Sequence, residues 1–280
     1  MADISLLDRS YQKDNSKNYH LSIQVDPDGV GFCILDLENK HYIGFRKYSF
    51  EITHNVETLT DKLEQIIDED DCLDTLFGSS SAIFLTQKST FVPDIFFEEV
   101  NLRDYFEFKQ VLEELDEIHS DKIEEIKAWN VFAIPTYIAN LLYNKFRGIH
   151  YFHQATPLVK TILKDFSSPS SIHLNLNNRF FDIAVKQNGK LILYNTFLYQ
   201  NETDLLYYVL FIINQLKIEP QTIPMTLCGE LSDRVAYQEA LSKYVPNLMY
   251  LDPALPSFSG IFERINRHKY FNLFYLYNCE

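Results

Sequence analysis

Two aspartates flank a proline in VDPDGVG (25–31), directly after the apolar run HLSIQV (20–25). Asp26 and Asp28 can do one of two things there. They can offer oxygen ligands to a hard divalent cation, or Asp26 can cap its own backbone in a tight turn closed by Gly29. A second acidic group, Asp68, Glu69, Asp70, Asp71 and Asp74, resembles half of a calcium loop. It lacks the central glycine and the terminal glutamate at the required spacing, so a solvated acidic loop is expected. His150 and His153 bracket Tyr151-Phe152 and would point to opposite faces of a strand, which keeps one metal from taking both. Phe77-Gly78-Ser79-Ser80-Ser81 is not a G-x-S-x-G elbow. The cysteines at 33, 72, 228 and 279 form no C-x-x-C pair and have no histidine beside them in sequence. Neither a catalytic residue nor a metal site is expected.

The elements that would position these residues occur twice. Residues 34–51 match residues 183–200 without a gap, Ile34 lying against Ile183 and Ile43 against Ile192 at a constant offset of 149. Each copy reads as a hairpin, the second turning at Asn188-Gly189, a pair suited to positive φ. In the first half, strands at 20–25, 31–37 and 41–51 form a meander, with Glu38-Asn39 as a turn. A helical stripe, Val56, Leu59, Leu63, Ile66 and Ile67, follows. A buried strand at 81–87, an acidic helical insertion near 93–122, a strand at 126–134 and a helix beginning at Pro135 come next. A strand at 149–153 and a helix at 156–166 close that half. SSPSS (167–171) reads as a linker. The second half repeats β-β-β-α-β-α-β-α, with Thr203 as the expected cap of an apolar helix (203–217) buried all round, Ser232 as the cap of the next, and a helical aromatic tail (257–277). The expected boundaries are a flexible arm (1–18), a first lobe (19–166) and a second lobe (172–280).

This layout resembles the actin-like ATPase superfamily, a duplicated ribonuclease H-like α/β fold of two mixed-sheet lobes with flanking helices. The chain also looks like a bacterial family of uncharacterised proteins assigned that fold. The resemblance implies a nucleotide cleft whose lining here would be Asp26, Asp28, Gly29, Asn177, Asn178, Gly229 and Glu230. Each of the three motifs departs from the superfamily pattern. Asp26 takes the phosphate-loop aspartate, but Asp28 adds a carboxylate and Gly29 arrives one residue late. In LNLNNRF (174–180), Asn177 replaces the second aspartate and Asn178-Arg179 follow with no glycine, although Arg179 could contact an anion. In LCGELSD (227–233), Gly229 fits the first adenosine glycine and Glu230 replaces the second. A backbone that wraps a phosphate wants glycine. The resemblance therefore implies a degenerate cleft without ATP or magnesium turnover, in a protein that works in interaction or scaffolding. The alternative is an ATP-binding ATPase or small-molecule kinase with altered phosphate loops.

Charge narrows the partners. Asp and Glu number 39 against 25 Lys and Arg, a formal charge of −14, which repels nucleic-acid backbones and anionic membranes. The same −14 weighs against a ribonuclease H-type nuclease, as does Asn177 in place of an acid. The longest strongly apolar run, 205–213, is too short to cross a bilayer. A protein partner, a reducing cytoplasmic compartment and oligomerisation through the aromatic tail are expected.

Overall fold

In the computed structural model, residues 2–51, 55–165, 167–230, 234–251 and 256–279 are described. The first half is built on strands that are buried on both faces, even though one face of the strand Tyr19–Asp26 carries the polar His20, Ser22, Gln24 and Asp26. β1 (Ile4–Leu7), β2 (Tyr19–Asp26), β3 (Gly29–Asp36) and β4 (His41–Ser49) are followed by α1 (Val56–Glu69) and β5 (Ser79–Phe84). β2 and β3 are buried at every position, which requires layers on both sides of the sheet. α1 supplies one, with Leu59, Leu63 and Ile67 inward and Asn55 as its cap, accepting from the Thr58 N–H at 3.0 Å.

The chain then leaves this sheet through β6 (Ser89–Pro93), α2 (Leu102–Glu107), β7 (Asp116–Ile123) and β8 (Ala128–Pro135). It returns with α3 (Thr136–Lys145), β9 (His150–His153) and α4 (Ala155–Lys164). The first sheet runs β1-β4-β3-β2-β5-β9, and the excursion forms its own sheet, β6-β8-β7. The second half contains β10 (Ser171–Leu176), β11 (Phe180–Gln187), β12 (Lys190–Leu198), α5 (Glu202–Gln215), β13 (Met225–Cys228), α6 (Arg234–Ser242) and β14 (Leu248–Tyr250). Its sheet runs β12-β11-β10-β13-β14. Finally β15 (Ser257–Phe258) pairs with β4, and α7 (Phe271–Tyr275) lies near the end.

The strands β4-β3-β2-β5-β9 and β12-β11-β10-β13-β14 have one order and one set of directions: two antiparallel pairings, then two parallel ones. The ladder β3–β4 shifts register between Ile34 and Leu35, which pair with Gly44 and Tyr42. β11–β12 shifts between Val185 and Lys186, which pair with Leu193 and Leu191. The extra residues of the two bulges are Ile43 and Ile192, a matched pair of the sequence repeat.

Several expectations are corrected. Residues 4–7 of the supposed arm pair with β4, Ile4 against Lys47. The insertion near 93–122 is helical only in short pieces, 3-10 turns at 94–96 and 99–101 and then α2, and its second part is the strand β7. Two compact units exist: Met1–Thr156 with Ala254–Ile265 and Asn272–Glu280, and Pro157–Pro253 with Asn266–Phe271. The boundary thus falls inside α4 rather than at SSPSS. That segment is tied down, the Gly189 N–H donating to Pro169 O at 2.8 Å and the Asn188 N–H to Ser170 Oγ at 3.2 Å. Asn201, not Thr203, caps α5, accepting from Thr203 and Asp204 N–H. α5 buries Leu205, Val209, Ile212 and Ile213 but leaves Tyr207 63% and Phe211 48% exposed. The tail is no free patch. Phe274 lies 5.1 Å from Tyr42, 5.5 Å from Phe45 and 5.0 Å from Phe258, ring centre to ring centre, and all belong to the first unit. The expected cap Ser232 lies outside the described residues.

Candidate functional site

The first motif loop is a two-residue hairpin. β2 ends at Asp26, Pro27-Asp28 turn the chain, and Gly29 opens β3 as the partner of Asp26 in the ladder. Asp26 is buried and accepts from Gln24 Nε2 at 2.7 Å. The Phe50 N–H donates to the Asp28 carbonyl at 3.0 Å. Gly29 pairs with Ser49 on its other side. A Cβ there would sit 2.7 Å from the Tyr48 carbonyl oxygen and 3.1 Å from Lys47 Nζ. The glycine therefore serves the close approach of β4 within the sheet.

The second loop, Asn177–Arg179, joins β10 to β11. The Asn177 N–H donates to Phe180 O at 3.0 Å and the Arg179 N–H to Asn177 Oδ1 at 3.3 Å. The Tyr199 hydroxyl donates to Asn177 O, and the Tyr199 N–H to Arg179 O at 3.2 Å. Gly229, just after β13, is a second, different case. Its φ is +87°, and a Cβ would meet Leu176 O at 2.1 Å and Asn175 Oδ1 at 2.7 Å. The Gly229 N–H donates to His268 O at 3.0 Å. Glu230 follows, half-buried. In the second unit, then, Asn177, Asn178, Gly229 and Glu230 are gathered at one end of β10, because β10 and β13 are parallel neighbours. Asp26, Asp28 and Gly29 are gathered at the corresponding end of β2.

Beneath the second loop lies a carboxylate that the sequence reading passed over. Asp182, fully buried on β11, accepts from Asn175 Nδ2 at 3.0 Å, Tyr194 OH at 2.8 Å and Thr196 Oγ1 at 2.6 Å. Burial, then the Asp182 charge, holds the Tyr194 phenol protonated. The signal available was a lone acid in FFDIAV.

Two buried histidines occupy related places. His20 on β2 bonds through Nδ1 to Ser79 Oγ (2.8 Å) and through Nε2 to Ser81 Oγ (3.1 Å). His173 on β10 bonds through Nε2 to Ser171 Oγ (2.7 Å) and through Nδ1 to Thr226 Oγ1 (2.6 Å). Burial pushes the pKa of His20 down to about 4 and that of His173 to about 3, so both are neutral. They are polar core residues that orient neighbouring strands.

The remaining candidates separate. His150 is exposed, while His153 is buried against Thr86 O, 2.9 Å from Nε2. Asp70 corrects the solvated-loop reading. It is buried, accepts from the Tyr48 hydroxyl and the Cys72 N–H, and lies 3.3 Å from Arg46 Nε. Among the described residues no group of three or more His, Cys, Asp or Glu could hold a metal ion. Nor is any helix of them long and apolar enough to cross a membrane.

Phosphate cradles depend on outward-facing backbone N–H groups. At three motif positions here, Asn177, Arg179 and Gly229, those groups are already donated within the second unit. The first turn is held by the β2–β3 ladder.

Comparison with known proteins agrees with the fold and extends it. A family model, described as protein of unknown function (DUF3822), matches residues 8–248. The chain belongs to that family. No curated protein matches it in sequence. A Bacteroides thetaiotaomicron protein with actin-like ATPase fold and unknown function is similar over 96% of this chain and 99% of its own. Its TM-score is 0.82 and its identity 20%. The PilM-PilN type IV pilus biogenesis complex is similar over 93% of this chain and 98% of the matched chain, at TM-score 0.61 and 10% identity. The ethanolamine utilization protein EutJ from Carboxydothermus hydrogenoformans is similar over 97% and 92%, at TM-score 0.53 and 8% identity. This DUF3822 member has the actin-like ATPase fold.

Proposed function

We propose that the chain is a non-catalytic actin-like-fold protein that works through protein–protein contacts. The observation that carries this reading is the engagement of the Asn177, Arg179 and Gly229 amides by the protein's own carbonyl and side-chain oxygens. A nucleotide phosphate at these loops of the second unit would have to displace those bonds. The resemblance to a chain of the PilM-PilN complex supports a fold used for holding a partner. Four buried free thiols suit a reducing compartment.

The test is a thermal-shift and calorimetric titration with magnesium-ATP. A ligand at 100 times its dissociation constant stabilises by about 2.7 kcal/mol. The expected result is no saturable shift and no phosphate release. A saturable shift that Asp26→Ala removes would overturn the proposal in favour of an ATPase or kinase.

A further inference from the structure

The chain's first unit contains two strand edges that face one groove. β7 is the last strand of the small sheet, and β9 is the last strand of the large one. Among the described residues, β7 pairs with β8 alone and β9 with β5 alone. The two edge strands approach each other, and between them and α3 lies a cavity of about 600 Å³.

The side chains of the groove have one electrostatic character. Glu117, His119 and Asp121 alternate along β7 and so share one face. Tyr143 of α3 and Tyr151 of β9 also line it, and no lysine or arginine does. The His119 ring is edge-on to Tyr151 at 5.0 Å, and its Nε2 lies 2.7 Å from Glu117 Oε1. Tyr151 is fixed by donating to Ala139 O at 2.7 Å. Tyr143 is 60% exposed. Carboxylates beside aromatic faces suit a guanidinium or ammonium group, which gains charge-assisted bonds and a cation–π contact. The surrounding excursion, 94–125, is itself rich in Asp and Glu. A second copy presenting the same face would be repelled.

We propose that this groove binds an extended segment of a partner protein that carries arginine or lysine at alternate positions. Its backbone lies extended along the groove, and its cations meet Glu117 and the Tyr143 ring, beside Asp121, whose Oδ2 accepts from Thr156 Oγ1 at 3.0 Å. The proposal rests on the protein-interaction reading and names the partner's chemistry.

The experiment is selection of a displayed random heptapeptide library on the full chain, followed by affinity measurement of the enriched peptides. The expected result is enrichment of basic, β-favouring peptides. Their binding should weaken at least about tenfold in Glu117→Lys, and several-fold in Tyr143→Ala, whose side chain is exposed enough to leave folding intact. Hydrogen exchange should slow at 117–121 or 150–152 on binding. Enrichment of non-basic peptides, no enrichment, or equal binding by both variants would overturn the proposal. So would full competition by spermidine or free arginine at the concentration of the peptide, which marks a small-amine site. Failure here leaves the non-catalytic reading standing, because that reading falls only to magnesium-ATP binding.

Discussion

β4 and β12 hold the same place in two sheets of the same order, and each carries a one-residue bulge at a matched isoleucine. Yet Ile43 is fully buried and Ile192 is 42% exposed. β4 is flanked by β1 and β15 and covered by tail aromatics, whereas among the described residues nothing pairs with the outer edge of β12. A shared ladder thus dictates register and bulge but not burial. Burial follows what segments outside the shared ladder add, and the first unit received the additions.

Gly229 gives the largest way to break the comparison. The chain after β5 holds Leu85 where the chain after β13 holds Gly229, and only the latter sits at positive φ against a carbonyl. Gly229→Ala combines left-handed strain with a backbone clash, and should cost about 4 kcal/mol or more. Urea unfolding followed by hydrogen exchange should show the loss in β10–β14, with the first sheet unaffected.

Phe274→Ala tests the additions to β4. It removes a ring packed on Tyr42, Phe45, Phe258 and Phe262 and should cost about 3 kcal/mol. The loss should appear in the first unit, and equal loss of protection in both units would contradict the asymmetry.

Acid should sharpen the contrast further. His20 and His153 in the first unit have pKa values pushed to about 4, and His173 in the second to about 3, from the ordinary 6.5. Below pH 6.5 the unfolded chain takes up these protons while the folded chain stays neutral. Stability is therefore fully present near pH 7 and falls as pH drops toward 4, by about 1.4 kcal/mol per pH unit per histidine. The first unit should open at higher pH than the second. Urea midpoints at pH 7, 5.5 and 4.5 measure this, and His173→Gln should flatten the second unit's slope alone.

The smallest effect concerns the small sheet, which has no counterpart among the described residues of the second half. Asn130 on β8 is fully buried, and neither side-chain amide atom has a hydrogen-bond partner. Asn130→Val should stabilise by about 1 kcal/mol, since an unpartnered buried amide costs that much or more. A lower unfolding midpoint would mean that the amide has a role the packing does not show.

Much of this was legible in sequence where signals are local. The meanders, α1 and the Asn188-Gly189 turn followed from periodicity and from Asn188 and Gly189 taking φ of 52° and 75°. Within the insertion β7 was misread as helix, because Glu113 to Glu125 is rich in helix-favouring glutamate. Pairing of Glu117 with Ile134 and His119 with Phe132 overrides that propensity. Asp182 was missed because the bulge at Ile192 shifts the hairpin by one residue, and only the shifted register places Thr196 opposite it. The candidate residues lie in the turns after β2, β10 and β13. Their engaged amides, however, depend on Tyr199, Phe180 and His268, whose partners no spacing reveals.

The return of the tail to β4 has a consequence for synthesis. Tyr42 donates its hydroxyl to Phe274 O across 232 residues, so the first half cannot complete its own core as it leaves the ribosome. Its aromatic side waits, uncovered, until the second half and the tail have been made. The N-terminal unit is begun first and finished last, and a chaperone that shields Tyr42 and Phe45 in the interval would find its substrate there.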